Sequence, residues 1–64
     1  MEKIIRVYKQ DGSATTDPAE ILALIKSGED LELDYDSGKG VKASSTSSLK
    51  GKTVLVGKEK VEVA

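Results

Sequence analysis

Carboxylates recur at every second position in the middle of the chain, at Glu32, Asp34 and Asp36. Alternate side chains of a β-strand project to the same side, so this spacing predicts one acidic face on a strand. Paired carboxylates perform acid–base chemistry or bind hard cations. A calcium loop needs oxygen ligands wrapped around a turn and ending in a Glu, and this spacing is absent. We therefore expect no metal site.

Two interpretations of this acidic face, Glu32, Asp34 and Asp36, remain. Charge runs usually face water, and Lys39 and Lys42 of the following strand are then expected to relieve the repulsion between like charges. Alternatively, the face binds a protein partner with a basic surface, or mimics a phosphate backbone. These three acids are the first candidate partner-binding set.

Charge is sorted along the chain. Residues 17–36 contain seven acids and one base, whereas residues 37–64 contain six lysines and two acids. The net charge of −1 therefore conceals a negative half and a positive half. Such a distribution steers partners or favours self-association. The second candidate partner-binding set consists of basic residues after residue 37: Lys39, Lys42, Lys50 and Lys52.

These lysines also suggest nucleic-acid binding, which we keep as the alternative function. Three features weaken it. Arg6 is the only arginine, although arginine makes the bidentate contacts that read bases. No aromatic residue lies among the lysines to stack on bases, and the chain as a whole is slightly acidic. Lysines that face solvent along edge strands are the simpler interpretation.

Catalysis has little support in the composition. The chain has no histidine and no cysteine, which removes the commonest general base and the thiolate nucleophile. The hydroxyl-rich residues 44–48 have no base near them in sequence. The segment Lys50-Gly51-Lys52-Thr53 resembles the end of a phosphate-binding loop, but Thr46 stands where that pattern requires its first glycine. We predict a protein that is not an enzyme and has no cofactor.

The elements that position these residues form an α+β domain in the order ββαββββ, spanning residues 1–64. Residues 3–9 read as a strand, and Asp11-Gly12 predicts a hairpin turn into residues 14–16. Further strands are predicted over residues 31–36, from residue 41, and over residues 53–56 and 60–63, whereas residues 43–48 are expected to form a loop or a frayed edge. The single helix should pack on a small, mainly antiparallel sheet.

The helix carries clear terminal signals. Asp17 is predicted to cap its N-terminus, with Pro18 at the first position and Glu20 completing a capping box. Gly28 should end it in a left-handed conformation. Because the chain contains no Phe or Trp, its core must be aliphatic, and the predicted members are Ile5, Val7, Ile21, Leu22, Leu24, Ile25, Leu31, Leu33, Val41, Val54, Val56, Val61 and Val63.

Residues 5–49 resemble the small N-terminal domain of polyhydroxyalkanoate accumulation regulators. The matching residues are Val7-Tyr8, Asp11, Ile21-Leu22, Leu24-Ile25, Gly28-Glu29-Asp30, Asp36-Ser37-Gly38, Val41 and Leu49. The resemblance implies a DNA-binding domain. The family's basic Asn-Arg-Arg run is replaced by Ile5-Arg6-Val7, and the last fifteen residues have no counterpart.

A core this small is marginal and often recruits a second copy or a partner. We therefore expect a homo-oligomer in which acidic residues 30–36 of one copy face lysines of another, or in which edge strands join. No apolar run is long enough to cross a membrane, and no signal peptide is recognisable, which predicts a cytoplasmic protein that binds no membrane. The preferred function is a non-catalytic interaction module, an accessory or regulatory protein of phage or mobile-element type.

Overall fold

The computed structural model describes residues 1–64 as one helix on a mixed sheet, which confirms the predicted α+β class. A short 3₁₀ helix, Ser47–Leu49, follows the fourth strand. The remaining elements, in chain order, are β1 (Lys3–Tyr8), β2 (Ala14–Thr15), α1 (Pro18–Lys26), β3 (Glu32–Asp36), β4 (Val41–Ser45), β5 (Thr53–Val56) and β6 (Glu59–Glu62).

The strands form one sheet in the order β4-β3-β1-β5-β6. Three hairpins supply the antiparallel pairs β1–β2, β3–β4 and β5–β6, and β1 also pairs antiparallel with β3. The β1–β5 pair is parallel and short, and β2 pairs with the other end of β1. Strands β4 and β6 are therefore the two edges of the main sheet.

The helix begins as its sequence predicts, except for one contact. Asp17 is the N-cap, and its Oδ1 accepts a hydrogen bond from the Ala19 N–H at 3.2 Å. The predicted return bond from Glu20 is wrong, because the Glu20 carboxylate accepts from Lys9 Nζ at 2.7 Å. The Asp17 N–H donates instead to Thr15 Oγ1. Gly28 follows the helix with a φ of 79°, as the C-terminal signal requires.

One side of the sheet is covered by α1, which packs against β1 and β5. Between them lies a core of 11 buried aliphatic residues. The core also includes Ile4 and Leu49, which are absent from the predicted set. Leu22 and Leu24 are only partly buried at its margin.

Two predicted core residues lie elsewhere, and strand register explains both. In the β1–β3 pair, Ile4 is opposite Tyr35 but Arg6 is opposite Asp34, so Ile5 is the extra residue of a β-bulge. The bulge buries Ile4 and leaves Ile5 half-buried. Val41 pairs with Asp36 on the side of the sheet away from the helix, and it is 60% exposed.

The prediction of a loop or frayed edge over residues 43–48 is wrong in its first half, because the edge strand β4 continues through Ser45 before the chain turns. Residues 44 and 45 complete β4, and Thr46 is buried at the start of the 3₁₀ helix. The Thr46 hydroxyl donates to the Glu29 carbonyl at 2.7 Å and accepts from the Leu31 N–H at 2.9 Å. This residue therefore ties the end of β4 to the link between α1 and β3. The protein contains no helix with the length and apolar character needed to span a bilayer.

Candidate functional site

The side of the sheet opposite α1, here called the open face, carries the predicted acidic residues. Residues paired across antiparallel strands project to the same side of a sheet. Asp34 is paired with Arg6 of β1 and Ala43 of β4, and Glu32 is paired with Tyr8 and Ser45. The acidic face (Glu32, Asp34 and Asp36) therefore lies in the centre of three strands, and none of its members is buried.

Asp34 is held in place by two residues of β1. The Tyr8 hydroxyl donates to Asp34 Oδ2 at 2.6 Å, and Arg6 Nη1 lies 3.8 Å from the same oxygen. The Asp34 side chain is 17% exposed, against 49% for Arg6. The neighbouring Tyr8 hydroxyl, and less strongly the Asp34 carboxylate, raise the pKa of Arg6 above its already high ordinary value. Arg6 is therefore positively charged beside Asp34 at neutral pH.

The three carboxylates differ in how far they are already engaged. Asp36 Oδ1 accepts from the Gly38 N–H at 2.8 Å, which closes the turn between β3 and β4. Asp34 is engaged through one oxygen, Oδ2. Glu32 takes part in neither of the protein's ion pairs and is exposed. The acceptors available to a ligand are therefore Glu32 and the second oxygen of Asp34.

A shallow hollow of about 460 Å³ lies beside these acceptors. Its polar lining residues are Tyr8, Glu32, Asp34 and three serines from β4 and the 3₁₀ helix. Ser45 Oγ lies 3.0 Å from the hydroxyls of both Ser47 and Ser48, so these serines bond to one another. The hollow is lined by Tyr8, Glu32, Leu33, Asp34, Ala43, Ser44, Ser45 and Ser48. Carboxylates and hydroxyls in this arrangement accept hydrogen bonds from an ammonium or guanidinium group.

The structure does not place the candidate lysines beside the acids. Lys42 is paired with Tyr35, so it projects to the helix side of the sheet, and the prediction that it relieves the acidic face is wrong. Lys39 lies in the turn before β4, and it forms no ion pair with the acids. Lys50 and Lys52 follow the 3₁₀ helix, beyond the other end of β4. The four lysines are thus spread over a turn, an edge strand and a connection.

Sequence reasoning missed the residues that complete the site. Alternation along β1 puts Arg6 and Tyr8 on the same side of that strand, but nothing in the local sequence indicates that β3 pairs with β1. Ser45 and Ser48 lie in a low-complexity stretch for which the sequence predicts only a loop or a frayed edge. No group of three or more Asp, Glu, His or Cys residues is arranged to hold a metal ion.

Comparison with family models, with curated proteins and with solved structures finds nothing that matches this chain. The resemblance of residues 5–49 to polyhydroxyalkanoate accumulation regulators therefore stays a prediction. Function has to be argued from the geometry of the open face.

Proposed function

We propose that this protein is a non-catalytic interaction module that binds a basic segment of a protein partner on its acidic face. The observation that carries the proposal is the contrast between two acids. Asp34 is held by Tyr8 and Arg6, whereas Glu32 is exposed and unpaired beside the hollow. A fixed acceptor next to a free one suits the side chain of a lysine or arginine.

The Tyr8–Asp34 hydrogen bond reduces the entropic cost of binding. A free carboxylate must be immobilised when it accepts a ligand, and each ordered side chain costs roughly 0.5–1.5 kcal/mol. Asp34 is already oriented and keeps one oxygen without a hydrogen-bond partner. An arginine that donated to this oxygen and to Glu32 would form charge-assisted hydrogen bonds, which are about twice as strong as neutral ones.

A basic partner would also reduce the electrostatic repulsion between the carboxylates of β3. Glu32, Asp34 and Asp36 repel one another, and Arg6 of β1 is the only cation that forms an ion pair with any of them. Two positive side chains laid across β3 would neutralise the remaining charge. A nucleic acid would instead bring phosphates to this face and increase the repulsion, so the acidic face favours a protein partner.

The hydroxyls near the acids support binding rather than catalysis. A serine nucleophile needs a base within hydrogen-bond reach and a third group to orient that base. Ser45 bonds only to the hydroxyls of Ser47 and Ser48 and to the Ser48 N–H. These bonds order the rim of the hollow, which is consistent with a site that recognises shape and charge.

The proposal is tested by titrating the protein with an oligo-arginine peptide, with backbone amide NMR shifts as the readout. We expect the shift changes to centre on Tyr8, Glu32 and Asp34. Glu32→Gln should weaken binding by up to about fivefold, since an exposed ion pair contributes up to about 1 kcal/mol. Tyr8→Phe should also weaken binding, although it leaves the net charge unchanged.

The matched control is Glu62→Gln, which removes one negative charge from β6, two strands beyond β1 in the sheet. Equal losses of affinity for Glu32→Gln and Glu62→Gln would show that the peptide responds only to net charge and would overturn the proposal. Shift changes that avoid the acidic face would do the same. A duplex DNA that binds tightly while the peptide does not would establish the nucleic-acid alternative instead.

A further inference from the structure

The edge strand β4 offers a second interaction surface, separate from the acidic face. We infer that β4 pairs antiparallel with β4 of a second copy of this chain, about a twofold axis that passes next to Ala43. The inference goes beyond the proposed function, because it concerns backbone groups at the edge of the sheet and not the carboxylates. It predicts one continuous sheet running through both copies.

The two edges of the sheet are protected to different degrees. Natural proteins block edge strands with charged side chains, because an open edge is a template for pairing. Three of the four residues of β6 are charged, namely Glu59, Lys60 and Glu62. Strand β4 carries a single charge, Lys42, among its five residues. By this criterion β4 is the edge that is open to pairing.

The alternation of backbone hydrogen bonds identifies the free groups of β4. The Thr46 N–H donates to the Leu31 carbonyl at 2.9 Å, so Thr46 directs its backbone toward β3. Hydrogen-bonded and non-bonded pairs alternate along an antiparallel ladder. Lys42 and Ser44 therefore also bond to β3, and the N–H and C=O groups of the other three residues point away from the sheet. These residues are Val41, Ala43 and Ser45.

A twofold axis at Ala43 satisfies all of these free groups at once. Ala43 then lies opposite Ala43 of the second copy, and Val41 lies opposite Ser45. Each such pair exchanges two N–H···O=C bonds, which gives about six bonds in total. On the helix side, Lys42 lies opposite Ser44. No like charges meet across the seam, and only small or apolar side chains flank it on the open face.

The acids of the two copies are far enough apart to be screened. Two β4 strands separate the two β3 strands, so three strand spacings of about 4.8 Å, roughly 14 Å in all, lie between the acidic faces. This distance exceeds the Debye length of about 8 Å at physiological ionic strength. The residual repulsion falls as salt rises, so the edge-paired dimer should strengthen with salt. A dimer that pairs acidic residues 30–36 with lysines would weaken instead.

The axis of an antiparallel strand pair of this kind is perpendicular to the sheet, so both acidic faces lie on the same side. Where the proposed function also holds, the dimer presents two equivalent sites for one basic partner. Two linked sites raise the apparent affinity without any new contact, provided that the partner spans both. Edge pairing would then control how tightly a multivalent basic protein is bound.

The test is sedimentation of the intact chain over a range of protein concentrations, from about 0.01 M to about 1 M salt, where the Debye length falls from about 30 Å to about 3 Å. We expect a monomer–dimer equilibrium that shifts toward dimer as salt rises. In Ala43→Lys, the new ammonium group lies opposite the Asp34 carboxylate of its own chain. Across the dimer seam it lies opposite the same ammonium group of the second copy. Like charges directly opposite one another destabilise pairing by up to about 1 kcal/mol, so dimerisation should weaken by up to about fivefold.

The matched control is Thr53→Lys, which adds the same charge to β5, an exposed position away from β4. It should dimerise like the parent, and the urea midpoint of Ala43→Lys should show that this variant remains folded. Amide hydrogen exchange provides a second readout. The amides of Val41, Ala43 and Ser45 should gain protection as protein concentration rises, whereas those of Lys42 and Ser44 should be protected throughout.

Three results would overturn the inference: a monomer at all salts and concentrations, a dimer that dissociates as salt rises, or a dimer that Ala43→Lys leaves intact. None of them would bear on the acidic face, because the peptide titration reports on Tyr8, Glu32 and Asp34 and not on the backbone groups at the β4 edge. Loss of peptide binding with an intact dimer would in turn reject the proposed function alone.

Discussion

Thr46 offers the sharpest test of how the candidate site is held in place. Its hydroxyl bridges the Glu29 carbonyl and the Leu31 N–H, and its own N–H donates to the Leu31 carbonyl. Thr46 is 5% exposed and Leu31 is 4% exposed. Thr46→Val keeps the shape and the β-branched backbone preference of the side chain but removes the hydroxyl. The Leu31 N–H then loses its partner in a buried environment.

The cost can be worked out from these contacts. A buried polar group that loses its partner costs roughly 1–3 kcal/mol. The Leu31 N–H is buried and the Glu29 carbonyl is in a partly buried bond, so the sum should be about 2–4 kcal/mol. A domain of this size has only about 3–5 kcal/mol of stability from its core. With a urea m-value near 1 kcal/mol/M, the midpoint should fall by roughly 2 M or more.

The matched control is Thr46→Ser, which keeps the hydroxyl and loses one methyl group. It should cost only about 0.8 kcal/mol. Equilibrium urea unfolding, followed by far-UV circular dichroism, compares the three proteins directly. A Thr46→Val midpoint equal to or above that of Thr46→Ser would refute the bridging role of the hydroxyl.

Two further predictions concern charged contacts. Asp17→Ala removes the helix N-cap and should cost about 1 kcal/mol in thermal or urea unfolding, whereas Asp17→Asn should retain most of the stability; coincident melts of Asp17→Ala and the parent would contradict the cap. The hydrogen bond from Lys9 holds the pKa of Glu20 below its ordinary value of 4.5, so the unfolded chain binds this proton more tightly than the folded protein does. This contribution to stability is therefore complete above about pH 4.5 and is lost as the pH falls through the lowered pKa. Urea midpoints at neutral and acidic pH should show a shallower decline for Glu20→Gln than for the parent, and parallel declines would argue against the Lys9–Glu20 contact.

The parts of the fold that the sequence predicts are those specified by local chemistry. The Asp17 cap depends on residues within one turn of each other, and the hairpin at Asp11-Gly12 needs only a glycine with positive φ, which is 90° at Gly12. The bulge at Ile5 depends on how β1 meets β3, a strand that is distant in sequence. The parallel β1–β5 pair is equally non-local. Periodicity within a single strand contains no information about either.

In the candidate site, too, some features follow from the local sequence and others depend on strand register. Alternation alone places the three carboxylates on one face, because it is a property of one strand. Which residues oppose them depends on the length of the turn between β3 and β4. That turn pairs Asp36 with Val41 and Tyr35 with Lys42, so the acids face Val41, Ala43 and Ser45. A register shifted by one residue would have brought Lys42 onto the acidic face.

The open face of the sheet is not covered by any element of this chain, which favours association with a partner. A chain of 64 residues buries only about 60% of the surface that its unfolded form exposes. Here a single helix covers one side of the sheet, while the open face retains Val41 at 60% exposure and Tyr8 at 36%. Edge pairing at β4 would satisfy free backbone groups, and a basic segment on the acidic face would offset unbalanced charge. Each event would supply what the isolated chain lacks, and because a partner that binds only the folded state stabilises it by mass action, association at either surface would raise the folding stability of this protein.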